Sequence, residues 1–236
     1  DNTLHEYQGI GRDITEQQAA RDKINRLIEE QTILYRMSCE FSLMSRDGDI
    51  FEMIGHGVKE ILPTAIVAVN SFEAADSAMK TRCFLGDQER EVFSNYFGKD
   101  IVGHIMEAPE TIERDHVIQN VMGGKLYKVP GNLCVMMMGQ IPMETCEKIE
   151  QHLNIGDIYI MGLVSGNQLF GNIGLFLRKG ETLKHNELLE IYIRYATLAL
   201  KCRYLEEDKV IPVPNEEIYS SKKPVESGSP HSFQRI

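Results

Sequence analysis

The chain has 236 residues, 42% of them apolar and 25% charged, which allows one well-buried domain with extensions or two very small ones. Its net charge is −10 and no basic stripe interrupts the acidic balance, so a phosphate backbone is repelled and no nucleic-acid partner is expected. No apolar run nears the roughly 18 residues of a membrane span, and five widely spaced cysteines without Cys-x-x-Cys or zinc spacing imply a reduced, cytoplasmic compartment.

The chain opens at Asp1 with neither methionine nor signal peptide, which reads as a piece of a longer protein. Residues 4–14 read as one strand ending at Asp13-Ile14-Thr15. A lone strand cannot bury itself, so it belongs to a sheet outside these residues or pairs with another chain. Glu16 to Met44 holds no Gly or Pro and predicts one long helix. Ala20, Ile24, Leu27, Leu34 and Phe41 follow a 3-4 spacing, with polar Gln31 and Ser38 filling the seam. This weak heptad is expected to pair with a second copy; the alternative is an amphipathic helix lying on its own domain.

Arg46-Asp47-Gly48-Asp49 breaks that helix. Ile50 to Leu62 predicts a second, with Ile50, Ile54, Val58 and Ile61 on one face and Pro63 as its stop. Thr64 to Phe72 is β-branched and reads as a strand, 74–78 as a turn, and Met79 to Leu85 as its partner. Gln88 to Phe97 and Glu113 to Met122 read as helices, the latter closed by Gly123-Gly124. Lys125 to Val129 looks extended up to the Pro130-Gly131 turn, and Leu133 to Met138 is an apolar strand candidate. Pro142 to Leu153 predicts a helix with Met143, Cys146, Ile149 and Leu153 inward. Asp157 to Val164 and Gln168 to Leu177 form a hairpin around Ser165-Gly166-Asn167. Leu183 to Glu207 is a last long helix, on which Leu188, Tyr192, Tyr195, Ala199 and Cys202 step by 4-3-4-3. Residues 208–236 hold four prolines among Ser, Glu and Lys and cannot build a core, so they are expected to be a disordered tail or linker. Hairpins imply antiparallel pairing, and helices gathered on such a sheet make an α+β domain.

Certain stretches resemble known families. Gln8-Gly9-Ile10-Gly11-Arg12-Asp13-Ile14-Thr15-Glu16 is similar to the closing strand and exit motif of a PAS domain, which in that family feeds a signalling helix. Residues 30–206 resemble a GAF domain, above all in Leu169-Phe170-Gly171-Asn172-Ile173-Gly174-Leu175 and in a terminal helix with Leu188-Leu189, Ala196 and Ala199. Residues 124–133, followed by Gly139-Gln140-Ile141-Pro142, are similar to linked PAS/GAF proteins of methanogenic archaea. The implied division is 1–15 end of a PAS domain, 16–45 signalling helix, 46–207 GAF domain and 208–236 tail. The resemblance also implies a six-stranded antiparallel sheet between helices, with a ligand pocket on one sheet face under the divergent middle of the chain. Applied to this sequence, that pocket is expected near Phe84, Tyr96, His104, His116, Tyr127, Cys134 and Met136. Many such domains sit in histidine kinases of two-component systems. No phosphoacceptor His-Glu-x-Arg-Thr-Pro, Asn box or Gly-rich ATP lid occurs here, so no catalysis is expected of this chain.

The subfamily signatures do not single out a ligand. The Asn-Lys…Phe…Asp-Glu set of cyclic-nucleotide GAF domains is absent, as are the Asp-Ile-Pro and Cys-His pairs of bilin binders. Cys83 and Cys134 are a conceivable thiol pair, but their context does not match the methionine sulfoxide reductases, and catalysis needs an exposed thiolate. His104 or His116 is a conceivable haem ligand, against the commoner structural histidine. Met136-Met137-Met138 on a strand points to alternate faces and reads as core filler rather than a copper site. His56, between Ile54 and Val58, reads as packing or surface. No cofactor is named by the sequence.

The sequence thus predicts a sensory GAF module that binds a small ligand, relays conformational signals through dimeric helices, or does both. The homodimer is expected through Ile24, Leu27, Leu34 and Phe41 at one end and Leu188, Tyr192, Tyr195 and Ala199 at the other. The alternatives are a structural dimerisation or spacer domain with a self-filled pocket, and a haem- or thiol-based redox sensor.

Overall fold

The computed structural model describes residues 15–45, 48–73, 78–107, 112–137 and 139–206. The PAS-like strand at 4–14 and the tail at 208–236 lie outside the described residues, as does most of the turn at 74–78. The chain divides into two units, residues 1–44 and 45–236.

The described residues of the first unit form a helix, α1 (Thr15–Leu43), which no Gly or Pro interrupts. Thr32, Ser38 and Ser42 turn their hydroxyls back onto the carbonyls of Ile28, Leu34 and Ser38, and Arg36 pairs with Glu40 one turn on. Ile24, Leu27, Ile28 and Tyr35 are exposed along it.

The second unit begins at a cap. The Asp49 carboxylate accepts from the N–H groups of Phe51 (2.9 Å) and Glu52 (3.3 Å), satisfying donors that helix α2 (Ile50–Ile61) leaves unpaired. The chain then runs through β1 (Ile66–Glu73), β2 (Ala78–Leu85), α3 (Asp87–Phe97), β3 (Ile105–Glu107), α4 (Ile112–Met122) and β4 (Tyr127–Lys128). It continues through α5 (Leu133–Met136), α6 (Met143–His152), β5 (Ile155–Ser165), β6 (Gln168–Arg178) and α7 (Asn186–Glu206). The strands form one antiparallel sheet in the order β3-β2-β1-β6-β5-β4. Ser165 pairs with Gln168 across a two-residue turn, and only its first central residue, Gly166, has positive φ (62°).

Successive strand residues face opposite ways, and the two sheet faces carry different layers. Val69, Cys83 and Leu85 face α2: a Cβ placed on Gly55 would lie 2.8 Å from the Cys83 sulfur. Helix α7 lies beside α2 and against β5 and β6. The opposite face carries Ile66, Ala68, Phe84, Ile158, Ile160 and Phe176, which join residues of α3 to α6 in one core cluster. The α+β fold expected from the sequence is therefore present, with helices on both sheet faces.

Three expectations need correction. Residues 133–137 do not form the expected strand. Asn132 accepts from the N–H groups of Cys134 (3.1 Å) and Val135 (3.3 Å) and starts the short helix α5. A brief apolar run reads equally as a buried strand or a buried helix, and here the cap decides. The sixth strand is instead β3, three residues long and at the sheet edge. Met143 is exposed rather than inward, while Cys146, Ile149 and Leu153 are buried as expected.

Candidate functional site

The sheet face beneath α3 to α6 is where a ligand site was expected. Its centre is aromatic: Phe93 of α3 stands 5.1 Å from Phe84 of β2 and 5.9 Å from Phe176 of β6, ring centre to ring centre. Beside them Met136 of α5 reaches over Gly174. A Cβ on that glycine would meet the methionine methyl at 2.8 Å, so the thioether occupies the space that a side chain there would take. The helices are tied down by polar contacts. Arg178 on β6 donates to the Glu89 carboxylate of α3 and to the Leu153 carbonyl at the end of α6. The Leu133 N–H donates to the Glu150 carboxylate, joining α5 to α6.

One polar pair breaks this apolar floor. Asn70 on β1 and Asn172 on β6 are register partners, 3% and 6% exposed, and the Asn70 amide donates to the Asn172 side-chain oxygen at 2.7 Å. The Asn70 side-chain oxygen is buried without a hydrogen-bond partner among the described residues. A buried acceptor left open costs free energy, so a donor brought by a ligand would be stabilised there. Sequence reasoning missed both residues. The signal available was an Asn inside each of two strands, following the apolar run Ile66–Val69 in β1 and preceding the apolar run from Ile173 in β6.

The structure brings together part of the expected lining. Phe84 and Met136 belong to the core cluster, and Tyr127 and Cys134 pack against it half-buried. Tyr96 is exposed on α3. His104 precedes the edge strand β3, half-buried, with its ring edge-on to Phe97 at 5.0 Å. Burial first, and the charge of Lys99 second, lower its pKa, so at neutral pH it is a neutral imidazole. Its Nδ1 is buried without a partner among the described residues. The His116 side chain lies outside the described residues. Among the described residues no group of three or more His, Cys, Asp or Glu could hold a metal ion.

Cys83 and Cys134 do not approach. Cys83 faces α2, and Cys134 lies on the other side of the sheet. Burial, with the Glu52 and Asp49 carboxylates adding to it, pushes the Cys83 thiol up to about 12, which leaves it a small hydrophobe. His56 is exposed one turn from Glu52. Met136 and Met137 sit side by side at the end of α5, both buried, rather than on opposite faces of a strand.

The expected dimer positions divide. On α1, Ile24 and Leu27 are exposed, Phe41 is half-buried and Leu34 is buried. On α7, Leu188 and Tyr192 belong to the core, and the Tyr192 hydroxyl donates to the carbonyls of Met53 and Ile54 in α2 (3.3 and 3.2 Å). Tyr195 is exposed and Ala199 half-buried. The exposed side of α7 carries Ile191, Tyr195, Leu198, Cys202 and Leu205, again at 4-3-4-3 spacing. Among the described residues no helix is long and apolar enough to cross a membrane.

No family model matches the chain, and no curated protein does. Among solved structures it is similar to the GAF domain of a phosphoenolpyruvate-protein phosphotransferase from Acinetobacter, at 8% identity over 75% of this chain and 95% of that one, with a TM-score of 0.52. The GAF domain of the Coxiella burnetii phosphoenolpyruvate-protein phosphotransferase gives 8% identity over 77% of this chain and 98% of that one, also at 0.52. The chromophore-binding domain of the R. palustris bacteriophytochrome RpBphP3 gives 11% identity and 0.52; the likeness covers 78% of this chain and 63% of that structure. Identities this low speak of fold alone, and on that ground the second unit has the GAF fold.

Proposed function

We propose that this chain is a non-catalytic sensory module of a signal-transduction protein, which relays conformational state through paired helices to an output domain such as a histidine kinase. The two faces of α7 carry this reading. One face, with Leu188, Leu189, Tyr192, Ile193 and Ala196, is built into the domain core, and the other presents an exposed apolar stripe in heptad spacing. A helix whose inner face feels the sheet and whose outer face meets a second copy couples the two. The 4-3-4-3 stripe is the pattern by which a helix packs on its own image. The exposed Ile24 and Leu27 on α1 offer a second seam. The PAS-like exit before α1 supplies an input, and a ligand on the Asn70–Asn172 floor supplies another.

The test is sedimentation of the whole chain beside Leu198→Glu and Leu205→Glu. The expected outcome is a dimer that the charged variants convert to a folded monomer with unchanged far-UV circular dichroism. A wild-type chain that stays monomeric at every accessible concentration sinks the reading.

A spacer domain with a self-filled pocket is favoured by one specific observation, the Met136 methyl seated over Gly174 among Phe84, Phe93 and Phe176. Native mass spectrometry separates ligand sensing from a self-filled pocket. An added small-molecule mass that Asn70→Leu removes supports ligand sensing, and a bare dimer supports the self-filled pocket and leaves the PAS-like end as the relay's input.

A further inference from the structure

Two cysteines that the proposed relay does not use meet on the sheet face covered by α3 to α6. Cys134 is the second residue of α5 and half-exposed; Cys146 is in α6 and fully buried. Their sulfurs converge on one acceptor, the Ile141 carbonyl oxygen, at 3.6 Å from Cys134 and 3.9 Å from Cys146. Ile141 lies in the connection between the two helices, so both thiols point into the crook of a single turn. The helices are already held together by the Leu133 N–H on the Glu150 carboxylate.

We propose that Cys134 and Cys146 form a redox pair that closes to an intramolecular disulfide on reaction with hydrogen peroxide. The division of labour follows from access. The half-exposed Cys134 sulfur meets the oxidant. It attacks one peroxide oxygen, the O–O bond breaks, and the thiol proton leaves with the departing oxygen as water, which makes Cys134 a sulfenic acid. The Cys146 sulfur then attacks the Cys134 sulfur, the S–O bond breaks, and the hydroxyl departs with the Cys146 proton as a second water. Two thiols lose two protons and two electrons, and the peroxide is reduced to two waters.

Burial, then the neighbouring Cys134 thiol and the Glu150 carboxylate, pushes the Cys146 thiol up to about 12. Cys146 therefore stays protonated and inert toward the oxidant, and it can act only in the second step, where its proton leaves with the departing hydroxyl. The closed bond fixes α5 to α6 and with them Met136, whose methyl covers Gly174. The pair would thus tie thiol oxidation to the same sheet face whether or not a ligand enters there.

The experiment treats the full reduced chain with hydrogen peroxide, then blocks remaining thiols after unfolding and maps the peptides by mass. The expected product is a Cys134–Cys146 linked peptide, the intact chain lighter by two hydrogens and restored by dithiothreitol. Alkylation at both positions should be lost together, one for one. Cys134→Ser abolishes the link, while Cys146→Ala leaves Cys134 as a sulfenic acid trapped by dimedone. If both thiols stay alkylatable at doses that oxidise the exposed Cys202, the pair is not redox-active. An exclusively intermolecular Cys202 link overturns the proposal equally. Because the wild-type chain alone gives the deciding result, misfolding of either variant does not protect the idea.

Discussion

Tyr192 is the side chain around which α2 and α7 are fitted. It is 1% exposed, and its hydroxyl lies so close to α2 that a Cβ on Gly57 would come within 2.1 Å of it. The ring is wedged in the core and cannot swing away without opening a cavity. Gly57→Ala is therefore expected to destabilise the domain by about 1–3 kcal/mol, although alanine is the better helix former. A fall in the urea midpoint at unchanged slope checks this. Tyr192→Phe keeps the ring and is expected to cost less, about 1 kcal/mol, for the loss of the bonds to the Met53 and Ile54 carbonyls. At this scale the sequence was only partly legible. Phe84, Cys134 and Met136 could be placed near one sheet face from fold topology. Asn70 and Asn172 could not, because nothing in either strand names the other as its partner across the sheet.

Helix α5 is the element on which the sequence reading failed, and the reason is physical. Leu133 to Met138 is apolar throughout, so it has no alternation to mark a strand and too few residues to display a helical period. The residue that settled it stands outside the run: Asn132, whose side chain caps the first turn. Asn132→Ala is expected to cost about 1 kcal/mol. It should also raise amide hydrogen exchange at Cys134 and Val135 specifically, which exchange mass spectrometry would resolve. Helix α7 teaches the complementary lesson. Two apolar registers run along it at 4-3-4-3, sharing Tyr195 and Cys202, and spacing alone cannot say which faces the core. Leu188 and Tyr192 turn inward because α2 and the sheet lie there, leaving Ile191 and Leu198 on the outside. Long elements with caps or turns of their own, such as α2 and the β5–β6 hairpin, were legible to within a residue or two. The three-residue edge strand β3 carried no pattern at all.

At the scale of the whole molecule, charge acts against the proposed pairing. Two copies of net charge −10 repel, and raising the salt from about 0.1 M to about 1 M shortens the screening length from about 10 Å to about 3 Å. The dimer dissociation constant is therefore expected to fall as salt rises, which a sedimentation series would measure. A dimer that loosens with salt would mean that ion pairs, not the apolar stripes, hold it together. A six-stranded antiparallel sheet was expected from the GAF resemblance, and the structure has one, with β3 rather than residues 133–138 as its sixth strand.

The central position of β1 sets the order in which the domain can be made. Asn70 meets Asn172 across the β1–β6 ladder, 102 positions further along the chain. At a synthesis rate of about 5–20 residues per second, the inner edge of β1 waits about 5–20 s for its partner to be translated. Until then β1, whose first four residues are apolar, has only β2 beside it and offers a bare row of amides and carbonyls to whatever is near. Local elements such as α2 and the β1–β2 pair can form early, but the sheet closes late, and in a crowded nascent state that interval is when this chain most needs a chaperone.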